Sequence, residues 1–231
     1  MLTLEEIFPP FALRISCGPV ELAVLRDDDI PAVVELAHGG INAPGLPKPF
    51  LRAWHEEPYQ PGAPGGLPTN ALAWWWSQRA TLAPDEWRLA LVVRRDGEVA
   101  GMQDLHAHDF ALRRTVETGS WLGRAHQGRG TGTLMRAMVV GFAFDELGAE
   151  RCESGYVAGN LASAAVSRKV GYVEDGRRRV VQHTPHGKVG ADEQLVTVTP
   201  ATFVRPADPV RVEGAEALRR FLGIERGTAG P

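Results

Sequence analysis

Gln127-Gly128-Arg129-Gly130-Thr131-Gly132 stands between a strand-like stretch and a long helical pattern. Alternating glycines allow positive φ and let a backbone come close to a ligand. A helix opening on such a turn offers unpaired N–H groups and the positive end of its dipole. Together these make a cradle for a phosphate-like anion. Spacing excludes two common owners. A P-loop needs a lysine after its last glycine, and none follows here. A dinucleotide fingerprint spaces its glycines Gly-x-Gly-x-x-Gly, whereas Gly128, Gly130 and Gly132 simply alternate.

Downstream of the cradle, Leu134, Met138 and Phe142 recur at i, i+4 and i+8. The spacing predicts a helix over 131–147, closed by Gly148. Residues 151–157 make a strand, and Asn160 opens a short helix that Gly171 ends. Residues 172–183 and 194–199 pair as a hairpin across a loop containing Pro and Gly. Upstream, 116–122 is a strand reached through a connection at 109–114. Residues 89–93 and 99–106 flank the turn Arg95-Asp96-Gly97-Glu98, a hairpin signal. These three strands form a meander.

Nearer the start, 20–25 is a strand. Asp27-Asp28-Asp29 caps a helix carrying Ile30, Val33, Val34 and Leu36. Residues 39–68 are so rich in Gly and Pro that regular structure is excluded, and a loop of that length is expected to be functional. A helix follows over 70–81. It carries Trp74-Trp75-Trp76, which spread over about 300° and cannot form one stacking platform. One or two are expected in the core, and one is a candidate for an acceptor site. Residues 215–222 make one or two helical turns. The whole is α/β: a single domain with a central, mixed, mostly antiparallel sheet and helices on both faces. Its core spans about 20–200, with 201–231 as a C-terminal extension.

Composition agrees with one globular domain: 231 residues, 44% hydrophobic and 23% charged. A net charge of -3 gives no pull toward nucleic acid, and Arg177-Arg178-Arg179 is expected to be a solvated strand end. Cys17 and Cys152 are too few for a disulfide framework or a typical zinc site. No apolar run reaches the roughly 20 residues of a membrane helix, and the N-terminus lacks the features of a signal peptide. A cytoplasmic protein with no membrane or nucleic-acid partner is expected, with a homodimer left open. His106 and His108 share a strand face, but no third metal ligand is evident, so no metal is expected.

The cradle matches the Gln/Arg-x-x-Gly-x-Gly/Ala motif of the GNAT acetyltransferase superfamily. Asn160 through Tyr172 resembles that superfamily's later Asn-x-x-Ser/Ala…Lys-x-Gly-Phe/Tyr segment. Thr118-Gly119-Ser120-Trp121-Leu122-Gly123 is similar to the strand before the cradle in the subgroup that acetylates ribosomal-protein N-termini. The resemblance covers roughly 20–199 and is sharp over 117–172.

This resemblance implies acetyl-CoA as cosubstrate. Arg129, Gly130, Thr131 and Gly132 would hold its pyrophosphate by backbone N–H groups, with Gln127 and Gly128 shaping the entry. The pantetheine arm would lie between splayed strands and pair with Trp121, Leu122 and Gly123. Asn160 would contact the arm through its amide, with Ser163 beside it. Arg168 would meet the phosphates or face solvent. Backbone N–H near Leu122 is the family's group for the thioester carbonyl. Many members place a Tyr seven residues after the Asn, where this chain has Ser167. Its hydroxyl would relay a proton to the thiolate, or bond back to its own helix. Glu117 is the expected base, in a partly buried groove, with a plain salt bridge to Arg113 or Arg114 as its rival. Asp104, Glu153 and His106 stand in reserve. The implied reaction is direct acetyl transfer to a primary amine, first of all a protein or peptide N-terminus. A small amine (aminoglycoside, polyamine or amino acid) is the alternative acceptor, and a CoA-binding module without turnover the alternative function.

Overall fold

The computed structural model describes residues 1–42 and 49–224. In chain order these hold α1 (Leu4–Ile7), β1 (Arg14–Cys17), β2 (Val20–Val24), α2 (Ile30–His38), α3 (Leu67–Ala80), β3 (Glu86–Arg95), β4 (Glu98–His108) and α4 (Phe110–Arg113). There follow β5 (Thr115–Leu122), α5 (Thr131–Asp145), β6 (Arg151–Val157), α6 (Leu161–Val170), β7 (Val173–Thr184), β8 (Gly187–Val198), β9 (Arg211–Glu213) and α7 (Ala215–Phe221).

The strands form one sheet in the order β7-β8-β6-β5-β4-β3-β2-β1-β9. Neighbours are antiparallel except β5 and β6, which run parallel with α5 as their crossover. Helices cover both faces. On one face Leu89, Leu91, Leu105 and Val116 pack with Met138, Val139 and Phe142 of α5. On the other Val92 and Met102 pack with Val33 and Val34 of α2 and with Trp75 of α3. Helix α5 is buried nearly all round rather than along one stripe. Truncating Phe142 there would cost about 3–5 kcal/mol.

Four local expectations change. Helix α3 begins at Leu67, not near 70, because Pro68 occupies its first turn, where a missing N–H costs nothing. The segment expected to lack regular structure contains a 3₁₀ turn at Trp54–Glu56, while residues 43–48 fall outside those described. The last hairpin closes on two residues, and Gly187–Val198 is strand throughout. Its cross-strand partners override weak glycine propensity: Arg178 Nε sits 2.6 Å from Glu193 and Arg179 Nη1 2.9 Å from Asp192. Two of the three arginines are thus neutralised across the hairpin, while Arg177 donates to the Gln194 amide oxygen at 2.7 Å. Finally, two short strands were not expected. Strand β1 joins the edge beside β2, and β9 pairs with it, so residues from 211 onward add Leu218 and Leu222 to the main core.

Candidate active site

The site begins where the sheet opens. Strands β5 and β6 are paired only at Thr115↔Arg151, Val116↔Cys152 and Glu117↔Glu153. Beyond that point β6 stays with β8 as far as Val157, while β5 stays with β4 as far as Leu122. A wedge opens between them. The Gly123 N–H turns back to Ala100 O at 3.0 Å. Polar groups of a strand alternate in direction, so the N–H groups of Ser120 and Leu122 face the wedge.

The glycine loop closes the wide end. Gly128 has φ +74° and Gly130 φ +79°, conformations that cost side-chain-bearing residues strain, and nothing lies within 4 Å of where a Cβ would stand. The Gln127 amide donates to Leu122 O at 2.9 Å and to Ile41 O, so it braces the loop. Thr131 is fully buried, and its hydroxyl accepts from Arg95 Nη1 at 2.9 Å. Leu134 N–H is the first to bond back, to Gly130 O at 3.0 Å. The N–H groups before it are left for a ligand by helix geometry. At Gly123 the Leu36 side chain of α2 packs so closely that an added Cβ, 2.3 Å from it, would force Leu36 to shift.

Wedge and loop open into one cavity of about 1200 Å³. It is lined by Gly128, Gly130, Gly132, Trp121 and Leu122, and from α6 by Asn160, Ser163 and Lys169. Arg129 is exposed on the loop. Asn160 Oδ1 accepts from Ser163 N–H at 3.1 Å, which caps α6 and leaves only the amide's N–H side for a ligand. Arg168 is exposed and does not line the cavity; Lys169 does. Their positions in the last turn of α6 made either cation readable in the sequence, but not which one turns inward.

The far wall comes from α3 and from the Gly/Pro-rich segment. Phe50 and Trp54 stand there, with Trp54 edge-on to Trp121 at 5.6 Å between centroids. The segment is tied to β7: Ala53 N–H donates to His183 O at 3.0 Å, and His183 N–H to Leu51 O at 2.7 Å. Trp74 and Trp75 both line the cavity, Trp75 buried and Trp74 half exposed. Glu57 faces in as well, 2.8 Å from Arg52.

Of the carboxylates among the described residues, Asp104 lines the cavity together with Glu57. Asp104 lies on β4 opposite Gly119 of β5, whose absent side chain leaves room above it. Burial raises its pKa to about 6, against the pull of Arg88 3.6 Å away. Glu117 lies two pairs further along, 4.0 Å from His106 Nδ1. Its side chain is 55% exposed and does not line the cavity, so the expected partly buried groove does not form around it. Ser167 is buried, and its Oγ has no hydrogen-bond partner among the described residues. His106 and His108 gain a neighbour the sequence did not connect to them, Glu86, with ligand atoms within 4.8 Å of one another. Burial, then the nearby Arg88, lowers the His106 pKa to about 4.

These residues fit acetyl-CoA. The free N–H groups and open space at Gly128 and Gly130 suit a pyrophosphate, and the wedge suits an extended arm. A family model described as "Acetyltransferase (GNAT) domain" matches residues 22–173. Two curated relatives from Bacillus subtilis (strain 168) are similar. "Putative ribosomal N-acetyltransferase YdaF" is 31% identical over 44% of this chain and 58% of its own length. "Probable N-acetyltransferase YjcK" is 30% identical over 49% and 62%. The matches therefore span about three fifths of each relative. Among solved structures, Mycobacterium smegmatis RimJ in complex with CoA-disulfide shares the fold with TM-score 0.64 and 20% identity, over 91% of this chain and 94% of that one. Spermidine N-acetyltransferase from Vibrio cholerae, in complex with CoA and spermine, gives TM-score 0.57 and 16% identity over 80% and 98%.

Proposed function

The chain belongs to the GNAT acetyltransferase family, and from that premise we propose that it transfers an acetyl group from acetyl-CoA directly to a primary amine, a peptide or protein N-terminus. The observation that carries this is the opened seam, with the Ser120 and Leu122 N–H groups facing it and the glycine cradle at its wide end. Acetyl-CoA supplies an activated acyl carbon and a thiolate leaving group. Arg129, Gly130, Thr131 and Gly132 hold its phosphates, with Lys169 as the added cation, and Trp121, Leu122 and Asn160 border its arm.

The base role expected of Glu117 passes to Asp104 in this proposal. Asp104 faces the cavity, and a carboxyl titrating near 6 is mostly ionised at neutral pH yet basic enough to take an ammonium proton, directly or through water. The Leu122 N–H is aimed where negative charge grows on the carbonyl oxygen. Ser167 keeps its proposed part as a proton relay to sulfur because its hydroxyl is not engaged by its own helix, but it is buried behind the cavity lining, so the relay runs through a water.

The lining favours a singly charged acceptor. It holds Arg52, Arg124, Arg136 and Lys169 against only Glu57 and Asp104, and Glu57 is already paired with Arg52. Such a wall repels a polyamine but accepts one amine head on an uncharged chain. The name of YdaF, a ribosomal N-acetyltransferase, points the same way. The test is thiol release from acetyl-CoA with N-terminal peptides, spermidine and an aminoglycoside. Peptides are expected to lead by at least about tenfold in kcat/KM, a margin of roughly 1.4 kcal/mol. A lead for spermidine would overturn the acceptor assignment. CoA binding with no turnover on any amine would overturn the enzyme assignment.

A further inference from the structure

Helix α5 carries an arginine in the run Met135-Arg136-Ala137-Met138-Val139-Val140. Arg136 is only 3% exposed. Its Nη2 donates to Ser120 Oγ at 2.7 Å and its Nη1 to Ser154 Oγ at 3.1 Å. These two serines stand on β5 and β6 beyond the last paired residues, one on each side of the wedge. The guanidinium therefore bridges the wedge from beneath, and it lines the cavity.

No carboxylate among the described residues ion-pairs with Arg136, and its Nε is buried without a partner. The Tyr172 ring lies 5.9 Å from its Cζ. Burial pushes the Tyr172 phenol and the Cys152 thiol each up to about 12, so both neighbours stay neutral. A desolvated cation costs several kcal/mol unless an anion meets it. The protein supplies two neutral hydroxyls instead, and these orient the fork without cancelling its charge.

We propose that Arg136 is the electrostatic partner of the leaving sulfur. This rests on the acetyl-CoA assignment above and adds what the sulfur meets. During transfer the amine nitrogen bonds to the acyl carbon, the C–S bond breaks, and its electron pair stays on sulfur. Asp104 takes the ammonium proton before attack and passes it to solvent, and it then takes the second proton from nitrogen as the amide forms. The negative charge that appears on sulfur is the one that Arg136 lacks. An arginine cannot donate its proton at neutral pH, so it acts by charge and lowers the need for a strong acid where many relatives have Tyr and this chain has Ser167. Free CoA would then bind as its thiolate.

The test uses CoA, desulfo-CoA and acetyl-CoA with the wild-type chain, R136M and R136K. Thiolate absorbance of bound CoA is followed from pH 5 to 9. Cys152 is silent there, and burial also raises the Cys17 thiol. The bound thiol should titrate at least about one unit below the ordinary thiol value near 8.5. CoA should bind about tenfold tighter than desulfo-CoA. R136M should lose both effects and about a hundredfold in kcat, while melting no lower than wild type, since an apolar residue replaces an unpaired buried charge. R136K should restore part of the shift. An unshifted thiol in the wild type, or a shift retained in R136M, overturns the role of Arg136 alone. If no CoA compound binds the wild type, the acetyl-CoA assignment falls with it.

Discussion

The two walls of the cavity are built differently. The wall formed by β5 and the cradle is made of backbone: Gly128 and Gly130 in positive-φ conformations, free N–H groups at the start of α5, and the outward N–H groups of Ser120 and Leu122. The opposite wall, from 49–57 and α3, is made of side chains, chiefly Phe50, Trp54, Trp74 and Trp75. Backbone donors are fixed in number and direction, so they suit a ligand that never changes. Side-chain surfaces change with each substitution, so they suit a ligand that differs among relatives. Between the two walls lies Asp104, whose ion-pair partner Arg88 stands 3.6 Å away, further than the 2.8 Å between Glu57 and Arg52.

If the division holds, damage at the junction should be largest. D104N should lower kcat by about 10²–10³ and erase the acid limb of the pH profile. The sign follows from the raised pKa: the base is ionised above about pH 6 and activity is lost as pH falls through that value. An unchanged limb in D104N, together with its loss in E117Q, would return the role to Glu117. On the backbone wall, G130V should weaken CoA binding by about tenfold or more in calorimetry, because it fills the cradle and strains a φ of +79°. Acceptor KM should hardly move. On the side-chain wall, W54A should do the reverse, raising acceptor KM about tenfold with CoA affinity nearly unchanged. Equal effects on both ligands would dissolve the distinction. The smallest expected difference lies on α6: K169A should weaken CoA about threefold and R168A should not, since only Lys169 faces in.

What the sequence made legible was local. Glycine spacing marked the cradle, Asn160 and Gly171 marked the ends of α6, and Asp96-Gly97 marked a hairpin that the structure contains. What it hid was set by distant pairing. Glu117, Gly119 and Trp121 do share a face, but which of them overlooks the cavity depends on where α3 and 49–57 come to rest. Asp104 gains its place only because β4 and β5 are registered so that it meets Gly119. The aromatic wall left no period in a segment full of Gly and Pro. Pro68 read as a loop signal although it sits inside the first turn of α3. Arg136 was detectable as a lone charge in an apolar run, yet a single arginine on a helix ordinarily suggests a solvent-facing position, and only burial of α5 on all sides contradicts that.

An open sheet has two edges, and this one carries a third, in its interior. Past Glu117, strand β5 has no strand partner on its wedge side, and the N–H groups of Ser120 and Leu122 face that side, a geometry of the kind that recruits foreign strands into aggregates. Here that side is flanked by α5 beneath and by the Trp54 segment above. A strand from another molecule would have to thread between them, whereas a slender, unbranched chain could slide in. The same flanks that shape the wedge thus act as a size filter against self-association, and the protein can keep an unsatisfied edge exposed to small molecules without becoming sticky to its own copies.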